Sequence, residues 1–189
     1  MTIHDELVLE LIKPDEWGKP TGYVIRIVGN GKIKYVLEDL FYCAEERNTP
    51  ISRDFKLIEM TPDIVVTNLS SGKKTAIEVE GDINWDFAHS LRQVKKYKRN
   101  SREFQDVVVI IPKRYERFAR LYKKEGFRVY LWKATRIWEC MQCGNVMEDE
   151  RTTKPRCSSK DCNSTEQTLK GLKEESKDIF EPFEYPVKS

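Results

Sequence analysis

Five consecutive β-branched residues, Val107-Val108-Val109-Ile110-Ile111, constrain this chain more than any other feature. Such a run wants burial and reads as a buried strand around which a core must form. The neighbouring segments supply candidates for that core. Asp63–Asn68 and Thr75–Glu80 read as strands joined by the turn Ser70-Ser71-Gly72. Phe87, Leu91 and Val94 stripe a helix over Asn84–Arg99, and Tyr115–Glu125 is a second helix closed by Gly126. Phe127–Trp132 is a last strand. Upstream, Leu7, Val8, Leu11 and Ile12 mark a short amphipathic segment. Gly29-Asn30-Gly31 between Tyr23–Val28 and Lys32–Val36 predicts a β-hairpin. Leu37, Leu40, Phe41 and Ala44 predict a helix that dissolves near Asn48-Thr49-Pro50, and Phe55–Met60 predicts another strand. The order helix, three strands, helix, strand, helix, strand points to α/β with a mixed sheet flanked by helices.

The chain of 189 residues is 34% charged and 11% aromatic. No stretch nears the ~20 apolar residues of a spanning helix, which excludes a helical membrane protein. No charged, apolar, small-residue leader opens the sequence, so a cytoplasmic location is expected. Gln is scarce and charge abundant, a composition that leans thermophilic. The net charge of +2 hides an asymmetry. Residues 1–91 carry 10 Lys and Arg against 16 Asp and Glu, whereas residues 92–128 carry 13 against 4. A basic block beside an acidic one suggests a polyanion held close to carboxylates, or else a solvated helix face.

A turn centred between Ser70 and Ser71 sets Asp63 opposite Glu78 and Ile64 opposite Ile77. Alternation then gathers Ile64, Val66, Ile77 and Val79 on one face and Asp63, Glu78 and Glu80 on the other. Opposed like charges destabilise a strand pair, and a hard divalent cation such as Mg²⁺ is the natural compensation. The alternative is a solvated sheet face with its register slipped.

Pro62-Asp63, Glu78-Val79-Glu80 and Gln93-x-x-x-Tyr97 together resemble the PD-(D/E)xK nuclease superfamily, and the Gln-x-x-x-Tyr piece its RecB-like branch. The resemblance covers roughly residues 37–112 and implies a restriction-endonuclease-like fold and Mg²⁺- or Mn²⁺-dependent DNA hydrolysis. By the same resemblance Asp63, Glu78 and the carbonyl of Val79 hold the metal, while Gln93 and Tyr97 position the DNA backbone or the attacking water. The superfamily's usual lysine falls at Glu80, a departure that leaves three readings open. Glu80 holds a second metal or orients water; Lys96 of the next helix replaces the lysine; or catalysis has been lost. At 100° per residue, His89, Gln93, Lys96 and Tyr97 share one arc opposite the Phe87/Leu91/Val94 stripe. His89 is thereby a candidate phosphate contact. Lys95, Lys98, Arg99 and Arg102, with Lys113 and Arg114 after the fourth strand, are candidate DNA contacts. Glu38 and Glu45 are further acidic candidates on the first helix.

Cys140-Met-Gln-Cys143-Gly144 is followed after 13 residues by Cys157 and after 4 more by Cys162. Two close pairs of this kind are the spacing of a Cys₄ zinc site, and the segment resembles a zinc ribbon. Disulfides are the alternative, as is an iron–sulfur cluster recruiting Cys43. The chain therefore divides into an N-terminal extension with the hairpin (1–36), a nuclease-like core (37–137), a ribbon (138–164), and a C-terminal helix over Thr165–Asp178 with an extended tail (165–189). The expected function is a DNA nuclease with one structural zinc. The alternative is an inactive nuclease-like protein that binds DNA or assembles with a protein partner or a second copy through the ribbon or tail.

Overall fold

The computed structural model describes residues 3–12, 22–29, 33–37, 62–81, 85–149, 154–173 and 179–185. Among these, a six-stranded mixed sheet runs β1 (Ile33–Leu37), β2 (Ile64–Asn68), β3 (Lys74–Val79), β4 (Asp106–Pro112), β5 (Arg128–Trp132), β9 (Phe180–Pro182). The first three strands form an antiparallel meander. Pairing turns parallel at β3–β4 and β4–β5, then antiparallel again at β9. A second, three-stranded antiparallel sheet holds β6 (Arg136–Cys140) between β7 (Val146–Asp149) and β8 (Gln167–Leu172).

The β-branched run of β4 is shared between two cores. Val108 and Ile110 pack with Ile64, Val66, Ile77 and Val79 beneath α1 (Ile3–Ile12) and α2 (Gly22–Val28). Val107, Val109 and Ile111 pack with Val65, Ala76, Val129 and Leu131 beneath α3 (Phe87–Arg99) and α4 (Glu116–Lys124). The strand is thus covered on both faces, and three layers result. Each buried aliphatic side chain contributes about 1.5–3 kcal/mol of transfer free energy.

Ile64 pairs with Ile77, the register that a turn at Ser70-Ser71 demands. Asn68 fixes that turn by accepting the amides of Ser70 and Ser71, each at 3.0 Å. Asp86 caps α3 by accepting the amides of Ala88 and His89. Gly126 ends α4 at φ 81, a left-handed conformation that favours glycine.

Three expectations are corrected. Tyr23–Val28 forms helix α2, not a hairpin arm: Val24 and Ile27, at helical spacing, are buried while Arg26 is exposed. The single strand that does form, β1, pairs with the distant β2. Thr165–Asp178 is not a helix in its described part; residues 167–172 are strand β8, which pairs with β6. An edge of β6 needing hydrogen-bond partners outweighs local helix propensity there, and Gly171 would weaken a helix. The buried face of α3 is Ser90, Val94 and Tyr97, so Tyr97 lies in the core and not opposite the Val94 stripe. The tail from Ile179 docks: β9 extends the sheet, and the Phe183 amide donates to the Val129 carbonyl at 2.9 Å. The helix expected from Leu37 shares that residue with β1, and its remainder, with Glu38, Cys43, Glu45 and Phe55–Met60, lies outside the described residues.

Candidate functional site

The β2–β3 pair carries Asp63 just before β2, Glu78 within β3 and Glu80 just beyond it. Asp63 Oδ2 accepts the Val79 amide at 2.7 Å, which ties the side chain across the strand pair. The even-numbered residues of β3 face α3, and Glu78 follows Ala76 into that layer, where it is 5% exposed. Gln93 donates to Glu78 Oε1, and the Tyr97 hydroxyl donates to Glu78 Oε2 at 3.0 Å. Gln93 Nε2 also contacts the Tyr97 hydroxyl at 2.9 Å, closing a three-residue ring around one buried carboxylate. Gln93 and Tyr97 can do this because residues four apart on a helix share a face.

Burial pushes the Glu78 carboxyl well above the usual range, and the charges of Asp63 and Glu80 push it further. Glu80 is pushed up to about 7, first by burial and then by Asp63 and Asp86, against a hydrogen bond from Ser90 and the charge of His4. Ser90 in turn meets the Tyr122 hydroxyl at 2.6 Å, so a buried hydroxyl chain from α4 and α3 ends on Glu80. The Glu80 backbone is held as well: its amide donates to the Ile110 carbonyl and its carbonyl accepts the Trp132 indole N–H at 2.7 Å.

His4 completes the cluster, and the sequence reading did not single it out. Its Nε2 lies 3.0 Å from Asp63 Oδ1 and its Nδ1 lies 3.3 Å from Asp5 Oδ1. Burial alone would lower its pKa, but the bonds and charges of Asp63 and Asp5 prevail and raise it to about 9. Gly81 lies against the start of α1, where a Cβ would meet Ile3 and His4 at 3.5 and 3.6 Å. Nothing local in the sequence signals this contact; only the placement of α1 over the sheet makes it.

The remaining candidates on α3 and beyond divide. His89 is exposed, and Lys96 is half-buried. Lys95 pairs with Glu125 at 2.8 Å; Lys98 donates to the Glu125 carbonyl and sits 5.1 Å over the Phe127 ring. Lys113 pairs with Glu181. Arg99, Arg102 and Arg114 are exposed, and Arg114 lies 4.5 Å over the Tyr115 ring.

In the small sheet, Cys140 ends β6 and Cys143 follows in a turn whose Gly144, at φ 71, donates to the Cys140 carbonyl. Cys157 and Cys162 come from the connection between β7 and β8. Cys140 and Cys162 sulfurs lie 3.7 Å apart and those of Cys143 and Cys157 3.5 Å apart, with all four within 4.8 Å of one another. Tetrahedral Zn–S bonds near 2.3 Å demand sulfur–sulfur edges of about 3.8 Å, whereas a disulfide needs about 2.05 Å. Backbone amides of Gln142 and Cys143 point at Cys140, and that of Asn145 at Cys143, the donors that thiolate ligands require. The four cysteines are therefore close enough to hold a metal ion. Among the described residues, Asp63, Glu78 and Glu80 do not close into a second such cluster.

No helix among the described residues is long and apolar enough to cross a membrane. No family model, curated protein or solved structure matches the chain.

Proposed function

We propose that the protein is a metal-dependent DNA nuclease of the PD-(D/E)xK type, with a restriction-endonuclease-like core and a zinc ribbon. The observation that carries this reading is the convergence of Asp63, Glu78 and Glu80 at one end of β2 and β3, with Gln93 and Tyr97 of α3 gripping Glu78. Support from topology is the antiparallel meander β1–β2–β3 followed by a parallel crossover through α3 to β4. The donor set suits Mg²⁺, which takes one or two carboxylates and completes its octahedron with water and substrate phosphate, better than it suits an all-protein cage. Asp63, Glu78 and the Val79 carbonyl would hold the ion, which supplies Lewis acidity toward the scissile phosphate.

The chain's own residues do the rest. Glu80, with a carboxyl poised near 7, accepts a proton from the attacking water, the work of the superfamily's usual lysine. Gln93 and Tyr97 fix the rotamer of Glu78. His4 neutralises Asp63 until the site is occupied. Arg99 and Arg102 meet the phosphate backbone. The ribbon's zinc would be structural, because so small a sheet has little core of its own.

The second reading is an inactive nuclease-like protein that binds DNA or a partner. It draws on Glu80 in place of lysine and on the fact that both Glu78 oxygens already accept hydrogen bonds. Incubating the full chain with labelled single-stranded, duplex and branched DNA, with Mg²⁺ or Mn²⁺, separates the two. Cleavage that Asp63→Asn abolishes supports the nuclease; no cleavage of any substrate by the wild type removes it in favour of the binding protein.

A further inference from the structure

Residues 92–128 carry 13 Lys and Arg against 4 Asp and Glu, and the mechanism uses only Arg99 and Arg102 of them. Much of the remainder stands on the outer side of α3 and α4. These helices lie side by side on one face of the sheet, joined by Phe87 on Phe118 at 5.0 Å, Ser90 on Tyr122 at 2.6 Å and Lys95 on Glu125 at 2.8 Å. At about 100° per residue, Arg92 and Arg99 are turned away from buried Val94 on α3. Arg117, Arg120 and Lys124 are turned away from buried Ala119 and Tyr122 on α4 in the same way. All five are exposed, and none enters an ion pair among the described residues.

The acids of the same stretch do not neutralise this face. Asp106 pairs with Arg128, Glu125 with Lys95, and Glu103 accepts from Asn100. Glu116 lies in the first turn of α4, where the helix dipole favours it. Two adjoining ridges of uncompensated positive charge result.

Such a face offers charge and little else. Leu121 is its one exposed large apolar side chain among the described residues. A lipid surface requires an apolar stripe to bury, and an acidic peptide gains little from exposed ion pairs. Double-stranded DNA binds through charge alone, because its dense phosphates release condensed counterions. A single strand adds stacking on aromatic rings, and no ring stands at these ridge positions.

We propose that the outer face of α3 and α4, through Arg92, Arg117, Arg120 and Lys124, docks the phosphate backbone of double-stranded DNA. Arg99 continues the same ridge. Gln93 and Tyr97 reach Glu78 from another side of α3, so the docked duplex is anchored outside the carboxylate site. The docking stands on the charge of the face; its service to cleavage rests on the nuclease reading.

The test is fluorescence anisotropy of the full chain, without added Mg²⁺, on a labelled duplex of about 20 base pairs between about 50 and 200 mM salt. A single strand with the same number of phosphates is titrated in parallel. Arg92→Gln, Arg120→Gln and Lys124→Gln are combined; all three side chains are exposed, so folding is not at stake. The triple variant lowers the slope of log K against log salt by about 2.7 on duplex, about 0.9 for each lost contact, and weakens binding at least about tenfold at 0.1 M salt. A control that removes the same net charge from exposed Lys73, Lys154 and Lys160, each changed to Gln, leaves the slope nearly unchanged. Failure of the wild type to bind duplex overturns the proposal. So does an unchanged slope in the triple variant, an equal fall in the control, or a fall seen only with the single strand. Cleavage is scored separately. Docking through this face without cleavage of any DNA removes the nuclease reading alone, and cleavage with an unchanged slope in the triple variant removes the docking surface alone.

Discussion

His4 Nε2 sits 3.0 Å from Asp63 Oδ1, and through that contact α1, which packs on one face of the sheet, closes on carboxylates turned toward the helices of the other. The pair sets the stability of the metal-free protein against pH. His4 is charged in the folded state up to about 9, while the unfolded imidazole loses its proton at 6.5. The folded chain binds more protons between those values, so this contribution is complete below 6.5 and is lost as pH rises through 9. Glu80 acts with the same sign lower down: folded it stays protonated to about 7, unfolded only to 4.5. Denaturant titrations should therefore show stability falling from pH 4.5 to 9. His4→Gln flattens the upper part, worth on the order of 2 kcal/mol after screening, and Glu80→Gln flattens the lower. A wild-type profile that is level or rising across this range contradicts the assignment.

Neutralising the two opposed carboxylates should move stability in opposite directions. Glu78→Gln relieves a buried like-charge contact and raises metal-free stability by roughly 0.2–1 kcal/mol. Asp63→Asn strips His4 of its counter-charge and lowers stability by about 1 kcal/mol at pH 7. On the nuclease reading proposed above, each should also remove Mg²⁺-dependent cleavage. Thermal melts and a cleavage assay on the same preparations check both halves, and a stabilised Asp63→Asn would show that the His4 contact is of no consequence.

Elemental analysis should find about one zinc per chain, held by Cys140, Cys143, Cys157 and Cys162. Cys157→Ser releases the metal and loosens the sheet of β6, β7 and β8, read as a lower melting temperature and proteolysis within residues 136–172. Cys43→Ser leaves the metal content unchanged. Iron with visible absorbance would instead support the iron–sulfur alternative.

Basic residues that looked equivalent along the chain should differ in their effect on DNA binding. Arg99→Ala with Arg102→Ala lowers the slope of log K against log salt by about 1.4 on single strands, about 0.7 for each lost phosphate contact. Lys95→Ala changes it far less, because that ammonium is already committed to Glu125. Equal slope changes would mean that Lys95 leaves Glu125 for the phosphate.

Much of this was legible without tertiary information because it is written in local chemistry. The turn at Ser70-Ser71 and the alternation beside it determined the pairing of Ile64 with Ile77, since a one-residue slip would turn every apolar side chain outward. The run Val107–Ile111 required cover on both faces, and the two close cysteine pairs required one another. What only the tertiary structure decided depends on neighbours distant in sequence. Tyr23–Val28 became helix because the core beneath β2 to β4 accepts Val24 and Ile27 at helical spacing. Gln167–Leu172 became strand because β6 had an edge to pair. Tyr97 turned inward because a buried Glu78 needed its hydroxyl, and His4 joined the cluster because α1 packs where its first turn reaches Asp63. Side-chain period is a property of a few adjacent residues, whereas the satisfaction of a buried charge or an open strand edge is a property of whatever the packed layers bring beside it.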